Sequence, residues 1–246
     1  MKEILFALVI VSISVACKKN TTNSNALTND TTCGGNTNIN FSSIGSPNGE
    51  FAECIKDVDG NVYKTVEIGN QQWMAENLKV SKYNDGVDII HDTTYFKGVE
   101  KGAWANYNNN KKLDVTYGKL YNWYTVSTKK ICPIGYHVPN QSEWNELISF
   151  LGGDSISSYK LIEVGNKNWV NNNSLNTNLS LFSAIPGGGV QGENCSDCGK
   201  LGFAALYWTS SEDDITDSWF RYLVPGGVFI SNTDKDSGMS IRCLKD

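Results

Sequence analysis

Between residues 140 and 151 the apolar positions fall at Trp144, Leu147, Ile148 and Leu151, the spacing of a single helical face. Asn140 stands where an N-cap is needed, and Glu143 is placed to return a hydrogen bond to it, a capping box. Gly152 and Gly153 supply the stop, because glycine tolerates a left-handed residue after the last turn. A weaker pattern around Tyr159, Leu161 and Ile162 predicts a second short helix within 154–164. Elsewhere the period shortens to two. Val62, Val66 and Ile68 alternate with polar residues after an Asp59-Gly60 turn, and Gly69-Asn70 separates them from Gln71 to Ala75. That reads as a hairpin with a two-residue loop.

The stretch Tyr117 to Tyr124 is dense in aromatics and predicts a strand. Antiparallel strands are expected over 206–211, 218–223, 228–230 and 239–244, the first two flanking an acidic loop. Residues 79–116 and 171–178 are polar and turn-rich, so they predict surface loops. The pattern as a whole gives an α+β domain with one main capped helix, an antiparallel sheet and long irregular loops.

The first residues change the picture. A short charged start precedes an apolar run from Ile4 to Val11, too short for a membrane span and suited to a secretory signal. Ser14-Val15-Ala16-Cys17 is similar to a bacterial lipoprotein cleavage box, which predicts a signal peptide over 1–16 and acylation of Cys17, palmitate included. The alternative is an ordinary secretory signal with Cys17 as a bystander. Residues 17–54 are rich in Asn, Thr and Ser and predict a tether reaching roughly 30 Å. The folded domain is then expected over 55–246.

Net charge is −5 with no basic block, which argues against a nucleic-acid partner. In an exported chain the six cysteines after Cys17 read as bridges before metal ligands. Neighbourhood pairs Cys132 with Cys243, Cys33 with Cys54, and Cys195 with Cys198. Cys195-Ser-Asp-Cys198 lacks the surrounding pattern of a redox site, and no further short-spaced ligands complete a zinc site. Asp57, Asp59 and Asn61 start like a calcium loop, but Ile68 stands where its bidentate Glu belongs, so a hairpin turn is preferred. The glycine-rich turn after Phe182 has neither the Lys-Ser/Thr nor the helix start of a phosphate loop. Only two histidines exist and no serine has a nucleophile-elbow setting, so no catalytic residues are assigned.

Several stretches together resemble the Fibrobacter succinogenes major paralogous domain of exported bacterial proteins. They are Asp57 to Val66, Ile68 to Leu78, Tyr117 to Tyr124, Cys132 to Pro139, Glu143-Trp144, Phe182 to Gly188, Trp208 to Glu212 and Ile241 to Asp246. The resemblance implies a C-type lectin-like fold, whose two ends meet in one sheet, an arrangement that suits the Cys132–Cys243 pair. It implies no activity. Calcium-dependent lectins of that fold use Glu-Pro-Asn or Gln-Pro-Asp with Trp-Asn-Asp, and this chain has neither signature. His137 to Trp144 and Ser240 to Cys243 are also similar to parts of the formylglycine-generating family, but these are helix-cap and core positions.

The expected function is therefore non-catalytic binding of a glycan or protein by a lipid-anchored protein at the cell surface, on the outer membrane. Trp104, Tyr107, Glu212, Asp213, Asp214, Asp217 and Trp219 are the expected contacts. Trp104 and Tyr107 offer either a stacking platform for sugar rings or, more commonly, core packing. The acidic loop offers hard oxygen ligands for calcium or, more commonly, a solvated turn, and no other cofactor is expected. Alternatives are a structural envelope protein without a discrete ligand and an enzyme related to the formylglycine-generating proteins.

Overall fold

The alternation after Asp59-Gly60 builds the first hairpins. β1 (Glu50–Lys56) pairs antiparallel with β2 (Val62–Ile68), and β2 pairs with β3 (Gln71–Met74) across the Gly69-Asn70 turn. The structure is a computed structural model and describes residues 49–170, 174–190 and 201–246. The expected signal peptide, Cys17, Cys33, Cys195 and Cys198 lie outside the described residues, with all of the tether up to residue 48.

The chain continues through β4 (Ile90–His91), β5 (Ala103–Ala105), α1 (Asp114–Tyr117), β6 (Leu120–Tyr121), α2 (Trp123–Ser127) and β7 (Tyr136–His137). Next come α3 (Gln141–Leu151), α4 (Asp154–Leu161) and β8 (Gly189–Val190). The last part is β9 (Ala205–Glu212), β10 (Asp217–Val224), β11 (Gly227–Asp234), β12 (Gly238–Met239) and β13 (Leu244–Lys245). The result is a mixed α+β domain made mostly of sheet, with few helices.

Among the described residues three sheets form, in strand orders β1-β2-β3-β13-β7, β11-β10-β9 and β4-β5-β6-β12-β8. β13 is inserted between β3 and β7, with Leu244 opposite both Trp73 and His137. The two ends of the described domain thus meet in one sheet, as the resemblance implied. Cys132, before β7, and Cys243, before β13, are joined by a disulfide with their Cα atoms 5.9 Å apart. Cys54 is also disulfide-bonded.

The capped helix forms as read. Glu143 N–H donates to Asn140 Oδ1 at 3.1 Å, and Asn140 N–H donates to Glu143 Oε2 at 2.7 Å. Trp144, Leu147, Ile148 and Leu151 are all buried, each side chain contributing roughly 1.5–3 kcal/mol. They pack with Trp73, Phe182, Tyr207 and Leu244. A second core surrounds the disulfide with Tyr63, Tyr121, Trp208 and Ile241.

At the edge of the α3 core, Arg242 is buried without a carboxylate hydrogen bond. Its Nε donates to Asn77 Oδ1 at 2.9 Å, Nη2 to the Ser183 carbonyl at 2.8 Å, and Nη1 to the Phe182 carbonyl. The guanidinium also lies 4.3 Å over the Phe182 ring. Leu181 and Ser183 flank Phe182 with φ of 58° and 54°, left-handed values that side-chain-bearing residues hold only under restraint. Asn178 restrains both, accepting from Leu181 N–H at 2.9 Å and from Ser183 N–H at 2.8 Å, and Arg242 adds to this by gathering two consecutive carbonyls of the segment.

Four expectations are corrected. Tyr117 to Tyr124 is no continuous strand: α1 ends at Tyr117 with Gly118 as its cap, and α2 begins at Trp123, capped by the Asn122 side chain. Gly118 takes φ 73°, and a Cβ there would meet the Leu78 carbonyl at 2.6 Å, so the chain must turn. Residues 79–116 are not wholly surface loop, because Phe96, Ala103, Ala105 and Tyr107 build a third small core with Leu120. The expected strand over 239–244 is two short strands, β12 and β13, that serve different sheets. Finally β1 starts at Glu50, so the sheet takes in residues assigned to the tether.

Candidate functional site

The turn joining β9 to β10 is closed by its own side chain. Asp214 Oδ1 accepts from the Thr216 and Asp217 N–H groups, both at 2.8 Å, and from the Thr216 hydroxyl at 3.0 Å. Those hydrogen bonds, led by the one from the Asp217 backbone, hold the Asp214 carboxyl below its ordinary range. Asp213 Oδ2 accepts from Asn232 Nδ2 on β11 at 2.6 Å. Asp217 lies directly opposite Asp234 across the β10–β11 ladder. Partial burial pushes the Asp217 carboxyl up, and a hydrogen bond and repulsion from Asp234 add to the rise.

Lys235 follows β11 and turns inward. Its side chain is only 5 % exposed, and Nζ donates to Glu212 Oε1 at 2.5 Å and to the Asp214 and Ile215 carbonyls at 2.6 and 2.8 Å. The ammonium also stands 5.1 Å from the Trp123 ring centroid. Its backbone ties the same parts together: Lys235 N–H donates to the Thr216 carbonyl and its carbonyl accepts from Trp123 N–H, both at 2.9 Å.

Above this lysine lies an open cleft of about 550 Å3, lined by Gly98, Glu100, Tyr124, Ile215, Thr216 and Asp234 to Asp236. Gly98 N–H donates to Asp236 Oδ2 at 3.1 Å, which fixes the 98–100 loop against the end of β11. Ile215 is 90 % exposed at the turn tip. Tyr124 presents one turn of α2. Three carboxylates, a phenol and an apolar tip make a surface suited to hydrogen-bonding and stacking against a ligand.

The expected contacts divide. None of the seven lines the cleft itself. Glu212 and Asp214 instead hold the lysine at its floor, Asp213 ties the turn to β11 through Asn232, and Asp217 faces Asp234 across the β10–β11 ladder. Trp219 is half-buried on β10 opposite Asn232. Trp104 and Tyr107 belong to the β4–β5–β6 region and do not form an open platform. The Trp104 ring stacks on His91 at 4.0 Å and carries the Lys119 ammonium at 4.2 Å. Tyr107 is buried, its hydroxyl accepting from Leu201 N–H at 2.7 Å. The residues that sequence reading missed are Glu100, Tyr124, Ile215, Asp234, Lys235 and Asp236. Their pattern carried no signal, because the turn places them together only after β9, β10 and β11 have paired.

Among the described residues no group of three or more His, Cys, Asp or Glu side chains could hold a metal ion. The two histidines are engaged elsewhere, His91 on Trp104 and His137 between Asp246 and Glu143 at 2.7 and 2.9 Å.

Residues 66–245 match the family model of the Fibrobacter succinogenes major domain. The chain belongs to this family. The Fibrobacter succinogenes major domain therefore takes in everything from the middle of β2 to β13, including the capped helix, the disulfide, Arg242 and the cleft. No curated protein and no solved structure matches the chain. Among the described residues no helix of the domain is long and apolar enough to cross a membrane.

Proposed function

We propose that this Fibrobacter succinogenes major domain is the non-catalytic binding head of an exported lipoprotein. In this reading Cys17 is acylated, residues 17–54 act as tether and the domain presents its cleft to a glycan or protein ligand at the outer surface of the cell. The observation that carries the reading is the open cleft beside the β9–β10 turn, lined by Tyr124, Ile215 and three carboxylates on a fixed frame. Tyr124 offers a ring for stacking, and Glu100, Asp234 and Asp236 offer acceptors for hydroxyl or amino groups. Both histidines are tied into structural contacts, which favours binding over acid–base catalysis. The meeting of the two ends of the described domain in one sheet, beside the Cys132–Cys243 bridge, favours the C-type lectin-like fold for the domain.

The test is a glycan array probed with the chain from residue 18 onward, beside Tyr124→Ala and Ile215→Asp variants. Binding that both substitutions weaken tenfold or more supports the cleft. Binding that neither weakens removes the cleft as the site. Metabolic labelling with palmitate, lost in Cys17→Ser, tests the anchor separately.

A further inference from the structure

The surroundings of Lys235 are those of a bound cation. One carboxylate oxygen and two carbonyl oxygens converge on Nζ from three different residues, and the Trp123 ring lies on a further side. Carboxylate and carbonyl oxygens brought together by a loop are the donor set that hard metal ions use. Here three N–H donors of one ammonium meet three acceptors, so the set is satisfied from within the chain. Two neighbouring carboxylates are committed as well: Asp213 to Asn232, and Asp214 to the Thr216 and Asp217 N–H groups.

We propose that the Lys235 ammonium is the resident cation of this loop end, seated where a metal ion would otherwise sit, so that the cleft keeps its shape without metal. The acidic turn is then neither a calcium site nor a merely solvated loop. It is a cage for an internal charge. The Asp214 and Ile215 carbonyls point inward because the ammonium draws them, and that orientation turns the Ile215 side chain outward at the tip. Trp123 links the cage to α2, which carries Tyr124, so both rims of the cleft depend on the same cation. The proposal concerns the frame of the cleft and holds whatever ligand the cleft takes.

Thermal unfolding of the full chain in detergent tests it, comparing wild type, Lys235→Met and Lys235→Ala. Wild type should melt at the same temperature with excess calcium chloride as with a chelator. Lys235→Met keeps the aliphatic stem and loses the charge, and it should melt roughly 4–8 °C lower, as for loss of a buried charged hydrogen-bond set. Lys235→Ala should fall as far and recover at least half of the loss in methylammonium chloride, with no recovery in sodium chloride at equal strength. A calcium-dependent rise in wild type would overturn the proposal. So would a Lys235→Met variant as stable as wild type, or a Lys235→Ala variant for which methylammonium does no better than sodium. If neither variant folds, the wild-type calcium comparison still decides.

Discussion

Arg242→Met tests the account of the core most directly. The substitution keeps an unbranched side chain of similar length and removes three charged donors. Those donors serve Asn77 Oδ1 and the Phe182 and Ser183 carbonyls. Hydrogen bonds to charged groups contribute roughly 1.5–3 kcal/mol each, so the gross loss is about 4.5–9 kcal/mol. Against it stands the recovered cost of burying a guanidinium, several kcal/mol per ion. The left-handed Ser183 also loses one of the contacts that restrain it, which adds to the loss. The net expectation is a destabilisation of about 3–5 kcal/mol, the balance of the lost hydrogen bonds and the relieved burial of the charge. Urea unfolding at 25 °C, followed by tryptophan fluorescence, is the assay. With a slope near 2 kcal/mol per molar, the midpoint should fall by roughly 1.5–2.5 M. Arg242→Lys should recover little, because an ammonium cannot span three separated acceptors. A midpoint shift under about 0.5 M in Arg242→Met would refute the view that this residue holds the 181–183 segment.

Three further outcomes are expected. Replacing Cys132 and Cys243 together by Ala opens a loop of 111 residues, and the chain-entropy relation puts the loss near 4.8 kcal/mol; a urea-derived loss below about 1 kcal/mol would contradict it. Asn140→Ala removes the acceptor for the Ser142 and Glu143 N–H groups and should cost about 1 kcal/mol, read from the same curves. Burial alone pulls the His137 imidazole down, but hydrogen bonds and charge from Asp246 and Glu143 outweigh it and leave the group above its ordinary 6.5. The stabilisation from protonated His137 is therefore full below pH 6.5 and lost as pH rises through the higher folded value. His137→Gln should flatten the pH dependence of the urea midpoint in that interval, and an unchanged pH profile would show that the two contacts do not matter.

Sequence pattern was a good guide where one local rule acts alone. The α3 helix, with its cap at Asn140 and stop at Gly152, needs only periodicity and hydrogen-bond closure. The β2–β3 turn needs only Gly69-Asn70. The Cys132–Cys243 pair followed from the positions of the two residues beside predicted elements. Reading failed where burial comes from distant partners. Trp123 and Tyr124 look like strand residues, yet Asn122 caps a helix there because its side chain also binds the Ala103 N–H at 3.0 Å. Tyr107 sits in an asparagine-rich stretch that looks exposed, but residues beyond 200 cover it. The acidic loop was recognised as unusual while its cation was not, since Lys235 follows it by twenty residues and joins it only through β11.

The insertion of β13 between β3 and β7 has a consequence for how the protein is made. A chain leaves the ribosome from its N-terminus, and earlier segments can fold before later ones appear. Here β1, β2 and β3 can pair as soon as they emerge, but the strand that joins them to β7 follows every other described strand. Until Leu244 arrives, β3 and β7 each present an unpaired edge, the kind of surface that recruits strands from other chains. A nascent chain, or one cut before β13, should thus be held by chaperones or aggregate until β13 closes the sheet.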